Sequence, residues 1–96
     1  MGVDELLKEK RQDILRIAAR HGAQSVRVFG SVALGQAEPE SDIDILVEFK
    51  PGHTLLDRVE LMQDLEDLLG RKVDVVTEQA LHRLIRHKVL AQAVPL

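Results

Sequence analysis

Strand-like and helix-like segments alternate along the chain, and this alternation limits the folds that the sequence can adopt. Three short runs rich in β-branched residues, "SVRVF", "DIDILVEF" and "KVDVV", are separated by segments in which apolar residues recur every three or four positions. The resulting order, α-β-α-β-α-β-α, is typical of a sheet covered by helices. We therefore predict an α/β fold in which helices pack on a small three-stranded sheet.

The ends of the helices can be predicted from local signals. The first helix is expected from Asp4 to about Arg20, and a second long helix from about 55 to 69, closed by Gly70 in a left-handed conformation. Thr77 is predicted to cap a last helix directly after the third strand. The apolar positions expected to face inward on these two later helices include Leu55, Val59, Met62, Leu65 and Leu69, and then Leu81, Leu84 and Ile85.

Length and composition point to one small soluble domain over residues 1–96, with an aliphatic core because Phe29 and Phe49 are the only aromatic residues. The chain has no cysteine, no signal-peptide core and no apolar run of membrane-spanning length, so we expect a cytoplasmic protein without membrane contacts. A net charge of −3 and the lack of aromatic stacking surface argue against nucleic-acid binding. The basic stretch near the end, which carries Arg83, Arg86, His87 and Lys88, is interpreted as a solvated surface.

Two aspartates stand at the start of the second predicted strand, in "SDIDILVEF". Side chains alternate across a strand, so Asp42 and Asp44 share one face while the apolar residues that alternate with them share the other. Their Cα atoms would lie roughly 6–7 Å apart, where two carboxylates repel each other by about 2–3 kcal/mol at an effective dielectric constant near 20. Mg²⁺ is the natural partner for such a pair, because it prefers a few carboxylate oxygens and leaves its other positions to water and phosphate.

A third acid, Asp74, lies within the apolar run "KVDVV", where an acid is unusual. If the second and third strands are neighbours, Asp74 joins Asp42 and Asp44, and three carboxylates can hold the two metal ions that in-line phosphoryl transfer uses. Purely structural roles remain open for each acid alone. Asp42 could cap a turn after Ser41, and Asp44 could pair with an arginine or a lysine.

A glycine turn, Gly30-Ser31, follows the first predicted strand. A glycine at this position allows the backbone to approach a phosphate, and the following N–H groups and the Ser31 hydroxyl can donate hydrogen bonds to its oxygens. The surrounding "GSVALGQA" spaces its glycines like a P-loop, but Gln36 and Ala37 replace the Lys and Ser/Thr that a P-loop requires. Taken alone, the turn is most simply a structural connection between a strand and a helix.

Together these motifs resemble the minimal nucleotidyltransferase family of the DNA polymerase beta-like nucleotidyltransferase superfamily. The resemblance is carried by "VRVFGS", "SDIDILVEF" with Pro51-Gly52, "LEDLLGRKVDVVT" and the final "AVPL", and it covers nearly the whole chain. It implies a mixed three-stranded sheet covered by helices. It also implies an enzyme that transfers a nucleoside monophosphate, most simply AMP from ATP, to an acceptor hydroxyl.

The resemblance also implies roles for individual residues and a partner. Gly30 and Ser31 would bind the nucleotide phosphates, and Asp42, Asp44 and Asp74 would be the catalytic acids and the ligands of two Mg²⁺ ions. Many family members are antitoxins that act on a helical HEPN-domain partner, so a toxin–antitoxin pair is expected, with the chain in a homomeric or heteromeric assembly. The acceptor hydroxyl would then lie on that partner.

Two features depart from the family pattern. Members often carry arginine in a "GSRARG" turn, whereas Val32 and Leu34 stand at those positions here; Lys50, Lys72 or a partner could supply the missing positive charge. This departure keeps a second hypothesis open, in which the chain neutralises its partner by binding alone. The four histidines lack metal-ligand spacing and are predicted to be surface or edge residues.

Overall fold

The computed structural model describes residues 3–35 and 42–96. The predicted loop at residues 37–41, including Ser41, lies outside the described residues. The elements in chain order are α1 (Val3–Arg20), β1 (Ala23–Phe29), α2 (Gly30–Ala33), β2 (Ile43–Phe49), α3 (Leu55–Leu69), β3 (Val73–Thr77), a 3-10 turn (Glu78–Ala80), α4 (Arg83–Gln92) and β4 (Val94–Pro95). Within this described part of the chain, no helix is long and apolar enough to cross a lipid bilayer.

The strands form one mixed sheet in the order β3-β2-β1-β4. Strand β1 pairs antiparallel with β2 and with β4, whereas β2 and β3 are parallel because α3 crosses between them. The predicted α/β architecture with a mixed sheet is therefore confirmed. The described residues contain four strands rather than the expected three.

The additional strand, β4, has only two residues, which is too short for any periodic pattern to predict. Val94 pairs with Val28 and Pro95 with Arg27, and the N–H of Leu96 donates to the carbonyl oxygen of Val26 at 3.1 Å. A proline in this edge strand is tolerated because its missing N–H can face away from the ladder.

A β-bulge in β1 explains why this strand begins two residues earlier than the sequence pattern indicates. The register with β2 shifts between Gln24 and Arg27, and Ser25 adopts a positive φ of 55°. The extra residue interrupts the two-residue alternation, so Ala23 and Val26 are both buried although three positions separate them.

The main core lies between the sheet and the pair α1 and α3. Alternate residues of β2 face it, and Ile43, Ile45 and Val47 are almost fully buried, as their alternation with the aspartates predicts. Phe49 packs against the edge of the same core. The buried residues contributed by the two helices are Leu7, Ile14, Ala18, Leu61, Leu65 and Leu69.

The opposite face of the sheet is covered only in part, by α4. Leu46 packs there with Leu81 and Val89 in what we call the second core cluster. Asp44 precedes Leu46 by two residues and therefore lies on this same face, nearer the start of β2. The covered half of the face thus stops short of the aspartates.

The expected start of the last helix is wrong, and its apolar face is wrong as a result. The Thr77 hydroxyl accepts a hydrogen bond from the Ala80 N–H at 3.2 Å and caps the 3-10 turn, while α4 begins at Arg83 with His82 as its cap. This later start leaves Leu84 79% exposed and Ile85 exposed, whereas Leu81 is buried as expected.

The first turn of α3 also differs from the predicted apolar face. Thr54 and Asp57 form a capping box at the start of the helix. Leu55 lies in that first turn and is 70% exposed, so its predicted place in the core is wrong; Leu56 is exposed as well. The predicted left-handed cap at Gly70 is confirmed by its φ of 64°.

Two side chains of α3 occupy the outer edge of β3. The Arg58 Nε–H donates to the carbonyl oxygen of Val75 at 2.8 Å. The Glu66 carboxylate accepts a hydrogen bond from the Val73 N–H at 3.1 Å. Since β3 is the last strand on this side of the sheet, these bonds satisfy backbone groups that would otherwise be free to pair with another strand.

One of the four histidines is not a simple surface residue. The His21 side chain is only 13% exposed, and its Nε2 lies 2.6 Å from Oδ2 of Asp64 on α3. A second acid, Glu60, lies 3.9 Å from Nδ1. His21 follows α1 directly, so this contact joins the end of α1 to α3.

Candidate active site

The site begins where β1 ends and Gly30 opens α2. Phe29, the last residue of β1, pairs with Asp44 on β2, which places Gly30 beside the Asp44 side chain. A Cβ atom built on Gly30 would overlap with Oδ2 of Asp44 and would stand 3.2 Å from its Cγ. Gly30 also has a φ of +73°, a conformation that favours glycine. The sequence suggested that this glycine serves an approaching phosphate, and the structure adds contact with Asp44 as a second reason.

The three predicted acids lie at the same end of two neighbouring strands. Asp44 and Asp74 pair directly across the parallel ladder between β2 and β3, whose strands are about 4.8 Å apart. Asp42 stands immediately before β2 and two residues from Asp44. Asp42 and Asp74 are exposed, whereas Asp44 is half-buried. The expected proximity of Asp74 to the aspartate pair therefore follows from the strand order.

The electrostatics of the site centre on Asp44. Burial raises the pKa of Asp44 above its usual value, and the negative charges of Asp74 and then Asp42 raise it further. Within residues 3–35 and 42–96, no side chain forms a hydrogen bond or an ion pair with any of these carboxylates. Pairing of Asp44 with an arginine or lysine is therefore not seen within these ranges.

The arrangement fits Mg²⁺ only if the nucleotide supplies part of the coordination. Across the described ranges, no group of three histidine, aspartate or glutamate side chains is arranged to hold a metal ion. Mg²⁺, however, is usually bound through one or two carboxylates, with waters and substrate phosphates completing its shell. The half-buried Asp44 and its neighbours Asp42 and Asp74 offer such oxygens, and no lysine or arginine of the described residues forms an ion pair with them. The assignment of the three acids as metal ligands stays a prediction.

The short helix α2 places Ser31 directly after Gly30 at the edge of this cluster. Val32 is buried and packs in the main core, while Leu34 is exposed. An arginine at position 32 would therefore have to leave the core to reach a phosphate, whereas position 34 is open to solvent. The expected phosphate contacts of Gly30 and Ser31 remain a prediction.

Lys50 and Lys72 were considered as substitutes for the arginines that the glycine turn lacks, and they lie at opposite ends of the strands. Lys72 directly precedes β3, two residues from Asp74, and its carbonyl oxygen accepts the Ile43 N–H at 3.0 Å. Lys50 follows the last residue of β2, roughly 20 Å along the strand from Asp44. Lys72 is thus the lysine that the fold brings near the site.

Adjacent carboxylates on paired parallel strands, beside a turn that opens on glycine, form an arrangement that can serve the transfer of phosphate-linked groups. Residues 7–94 match the nucleotidyltransferase domain family, and the chain belongs to that family. It is 43% identical over 75 residues to the protein adenylyltransferase MntA of Thermococcus cleftensis, covering 78% of this chain and 76% of that protein.

Solved structures agree with this membership. A structure described as a candidate minimal nucleotidyltransferase is 51% identical, has a TM-score of 0.87 and is matched over 96% of this chain and 94% of its own. A second structure, a toxin–antitoxin assembly with AMP-PNP, is 27% identical with a TM-score of 0.75, over 88% of this chain and 69% of that one. The predicted resemblance to minimal nucleotidyltransferases is confirmed.

Proposed function

We propose that this nucleotidyltransferase transfers AMP from ATP, with Mg²⁺, to an acceptor hydroxyl on a helical HEPN-domain partner, and so acts as the antitoxin of a pair in the cytoplasm. The observation that carries the proposal is the position of Asp44. It lies between the Gly30 turn on one side and Asp74 on the other, with a raised pKa and no cation paired to it among the described residues. A site of this kind is poised to receive a cation together with phosphate.

The transfer step assigns a role to each residue. Gly30 and Ser31 hold the triphosphate with backbone and hydroxyl donors, while Asp42 and Asp44 hold the metal that accompanies it. Mg²⁺, when bound, offsets the negative charge of the triphosphate and polarises the α-phosphate. Asp74, exposed on the neighbouring strand, accepts the proton of the acceptor hydroxyl. The hydroxyl oxygen bonds to the α-phosphorus, the bond from that phosphorus to the bridging oxygen breaks, and pyrophosphate leaves.

Relatives support the choice of nucleotide and acceptor. The Thermococcus cleftensis relative is named a protein adenylyltransferase, and the toxin–antitoxin structure was solved with an ATP analogue. The open surface beside Asp42 and Asp74 is compatible with an acceptor carried by another protein rather than by a small molecule enclosed in a pocket. Neither described pocket includes any of the three acids in its lining.

Binding and transfer can be measured with the same set of variants. Mg²⁺-dependent ATP binding would be followed by calorimetry, and transfer by the mass gained by a HEPN-domain protein from the same organism. We expect wild type to add the mass of AMP to the partner, and Asp42→Ala and Asp44→Ala to abolish it. Asp67→Ala, at an exposed position of α3, is the matched control. Equal transfer by all four proteins would overturn the proposal.

A second function, neutralisation by binding alone, is favoured by one observation. The glycine turn lacks the family's arginines, and Val32 is committed to the core. In that case the partner would be neutralised without any gain in mass, and Asp44→Ala would neutralise it as well as wild type does. The mass measurement therefore separates the two functions.

A further inference from the structure

Arg27 is a half-buried cation to which the described residues offer no ion-pair partner. Its Nε atom is inaccessible to solvent and makes no hydrogen bond. Among the described residues, its guanidinium forms no ion pair either. Buried charged groups are normally paired, because removing a charge from water without compensation is costly. Arg27 therefore has unused capacity to bind an anion.

The Arg27 side chain lines a pocket of about 300 Å³. Arg27 pairs with Leu46 on β2, so the pocket opens on the same face of the sheet as Asp44 but beyond the second core cluster. Arg86 of α4 lines it too and also has a buried Nε without a partner, although its Nη2 donates to the Leu81 carbonyl at 3.3 Å. Since the pocket does not include the candidate active-site residues in its lining, it is a separate site.

The charges around the pocket favour a single carboxylate over a phosphate. Glu48 and Glu78 line the same pocket as Arg27 and Arg86, and neither glutamate is ion-paired to an arginine there. Two acids repel a doubly charged phosphate more strongly than a singly charged carboxylate. A carboxylate can also dock on the Arg27 guanidinium in the planar, two-bond geometry that arginine favours.

Exposed apolar side chains are close in sequence to residues that line this pocket. Leu55 and Leu56 follow the pocket-lining His53 within three residues, and Leu84 and Ile85 directly precede Arg86. Interfaces combine such apolar contacts with a few buried arginine anchors. We propose that this pocket is a docking point for the HEPN-type partner, with Arg27 receiving the carboxylate of an acidic side chain that the partner presents.

This inference rests on the proposed function, because it needs the partner. The test measures the dissociation constant between this chain and a HEPN-domain protein from the same organism. Arg27→Met is expected to weaken binding about tenfold or more, since it leaves the partner's carboxylate buried without a counter-charge. Arg83→Met removes the same charge from an exposed position on α4 that does not line the pocket. Because Arg83 would act at most as a charge at the rim of the interface, its loss should change the dissociation constant less than about threefold.

The outcomes separate the two proposals. If wild type and Arg27→Met bind the partner equally well, the docking role of Arg27 is overturned and the proposed activity is untouched. If wild type binds no HEPN-domain protein, both the docking role and the partner assignment fail. Mg²⁺-dependent ATP binding by Arg27→Met should equal that of wild type, because Arg27 is outside the candidate active site.

A stability measurement on the free chain tests whether Arg27 is paired with another residue of the same chain in solution. If Arg27 has no partner within the chain, Arg27→Met should melt at the same temperature as wild type or higher. Glu48→Gln should then leave the melting temperature unchanged. A lower melting temperature for both variants would identify Glu48 as the partner of Arg27 in solution and would overturn the inference.

Discussion

Gly30 and Asp44 are packed so closely that no side chain fits between them. A Cβ at Gly30 would overlap with the Asp44 carboxylate, and the backbone there has a φ of +73°. The glycine turn and the aspartate strand are therefore one unit, in which the turn fixes where the carboxylate can lie. A substitution at Gly30 should act first on Asp44 and only then on any phosphate.

Gly30→Ala should consequently abolish transfer. Displacing a reacting group by about 1 Å can cost about 100-fold in rate, and we expect at least that loss. Gly35→Ala is the matched control, because Gly35 has a similar φ of +69° but no atom of the described residues lies within 4 Å of its added Cβ. Both variants should lose about 1 kcal/mol of unfolding free energy for the backbone conformation. Similar transfer rates for the two variants would show that the contact with Asp44 is unimportant.

Asp44→Asn should stabilise the metal-free protein at neutral pH. The folded-state pKa of Asp44 is raised above 3.8, so the folded state binds its proton more tightly than the unfolded state does. Stability is therefore lost as pH rises from about 3.8 through the raised pKa, and the penalty is complete above it. Replacing the carboxylate by an amide removes this penalty, as substitutions at strained active sites often do.

The expected gain at pH 7 is on the order of 1 kcal/mol, or about 4–8 °C in melting temperature. It should fade as the pH falls well below 3.8, where Asp44 is protonated in both states. Denaturant unfolding with a chelator at both pH values measures it, and Asp67→Asn serves as an exposed control. A gain of equal size at both pH values would mean that charge is not its cause.

Asp74→Asn should separate nucleotide binding from chemistry. If Asp74 accepts the hydroxyl proton, its loss should slow transfer by about 100-fold or more, while the dissociation constant for ATP with Mg²⁺ changes less than about tenfold. Single-turnover transfer and calorimetry provide the two numbers. An equal loss of transfer rate and of ATP affinity would instead indicate that Asp74 is a ligand of the metal.

The contact between His21 and Asp64 should contribute to stability without affecting the site. Asp64→Ala removes a 2.6 Å hydrogen bond at a histidine that is 13% exposed, and we expect a loss of about 1–2 kcal/mol in unfolding free energy. Glu60→Ala, whose carboxylate is 3.9 Å away, should cost less than about 0.5 kcal/mol. ATP binding should be unchanged in both. Equal losses of stability would show that the short distance has no special importance.

The parts of the fold that follow from local patterns were predictable from the sequence. The helix from Val3 to Arg20 and the helix from Leu55 to Leu69 have clear periodicity and stop signals, and both occur as expected. The proximity of Asp74 to Asp44 was predicted only on the condition that the second and third strands are neighbours, and the parallel pairing of β2 with β3 meets that condition.

The remaining features depend on contacts between distant segments. The bulge at Ser25 hides the alternation of β1, and β4 is a strand only because Val28 and Arg27 lie beside it. The late start of α4 depends on Thr77 capping a 3-10 turn instead of a helix, and a capping residue looks the same in either case. The lack of a hydrogen bond at Nε of Arg27 within the described residues could not be predicted, since it depends on the positions of side chains from distant segments.

The bonds from Arg58 and Glu66 to the outer edge of β3 have a consequence for assembly. Those backbone groups are already engaged by the chain's own side chains, so another protein cannot readily lengthen the sheet at that margin. A small catalytic sheet that resists strand addition from this side can meet other molecules through its helices and loops while keeping its own register. Strand addition at this edge is therefore not expected to change the distance between Asp44 and Asp74.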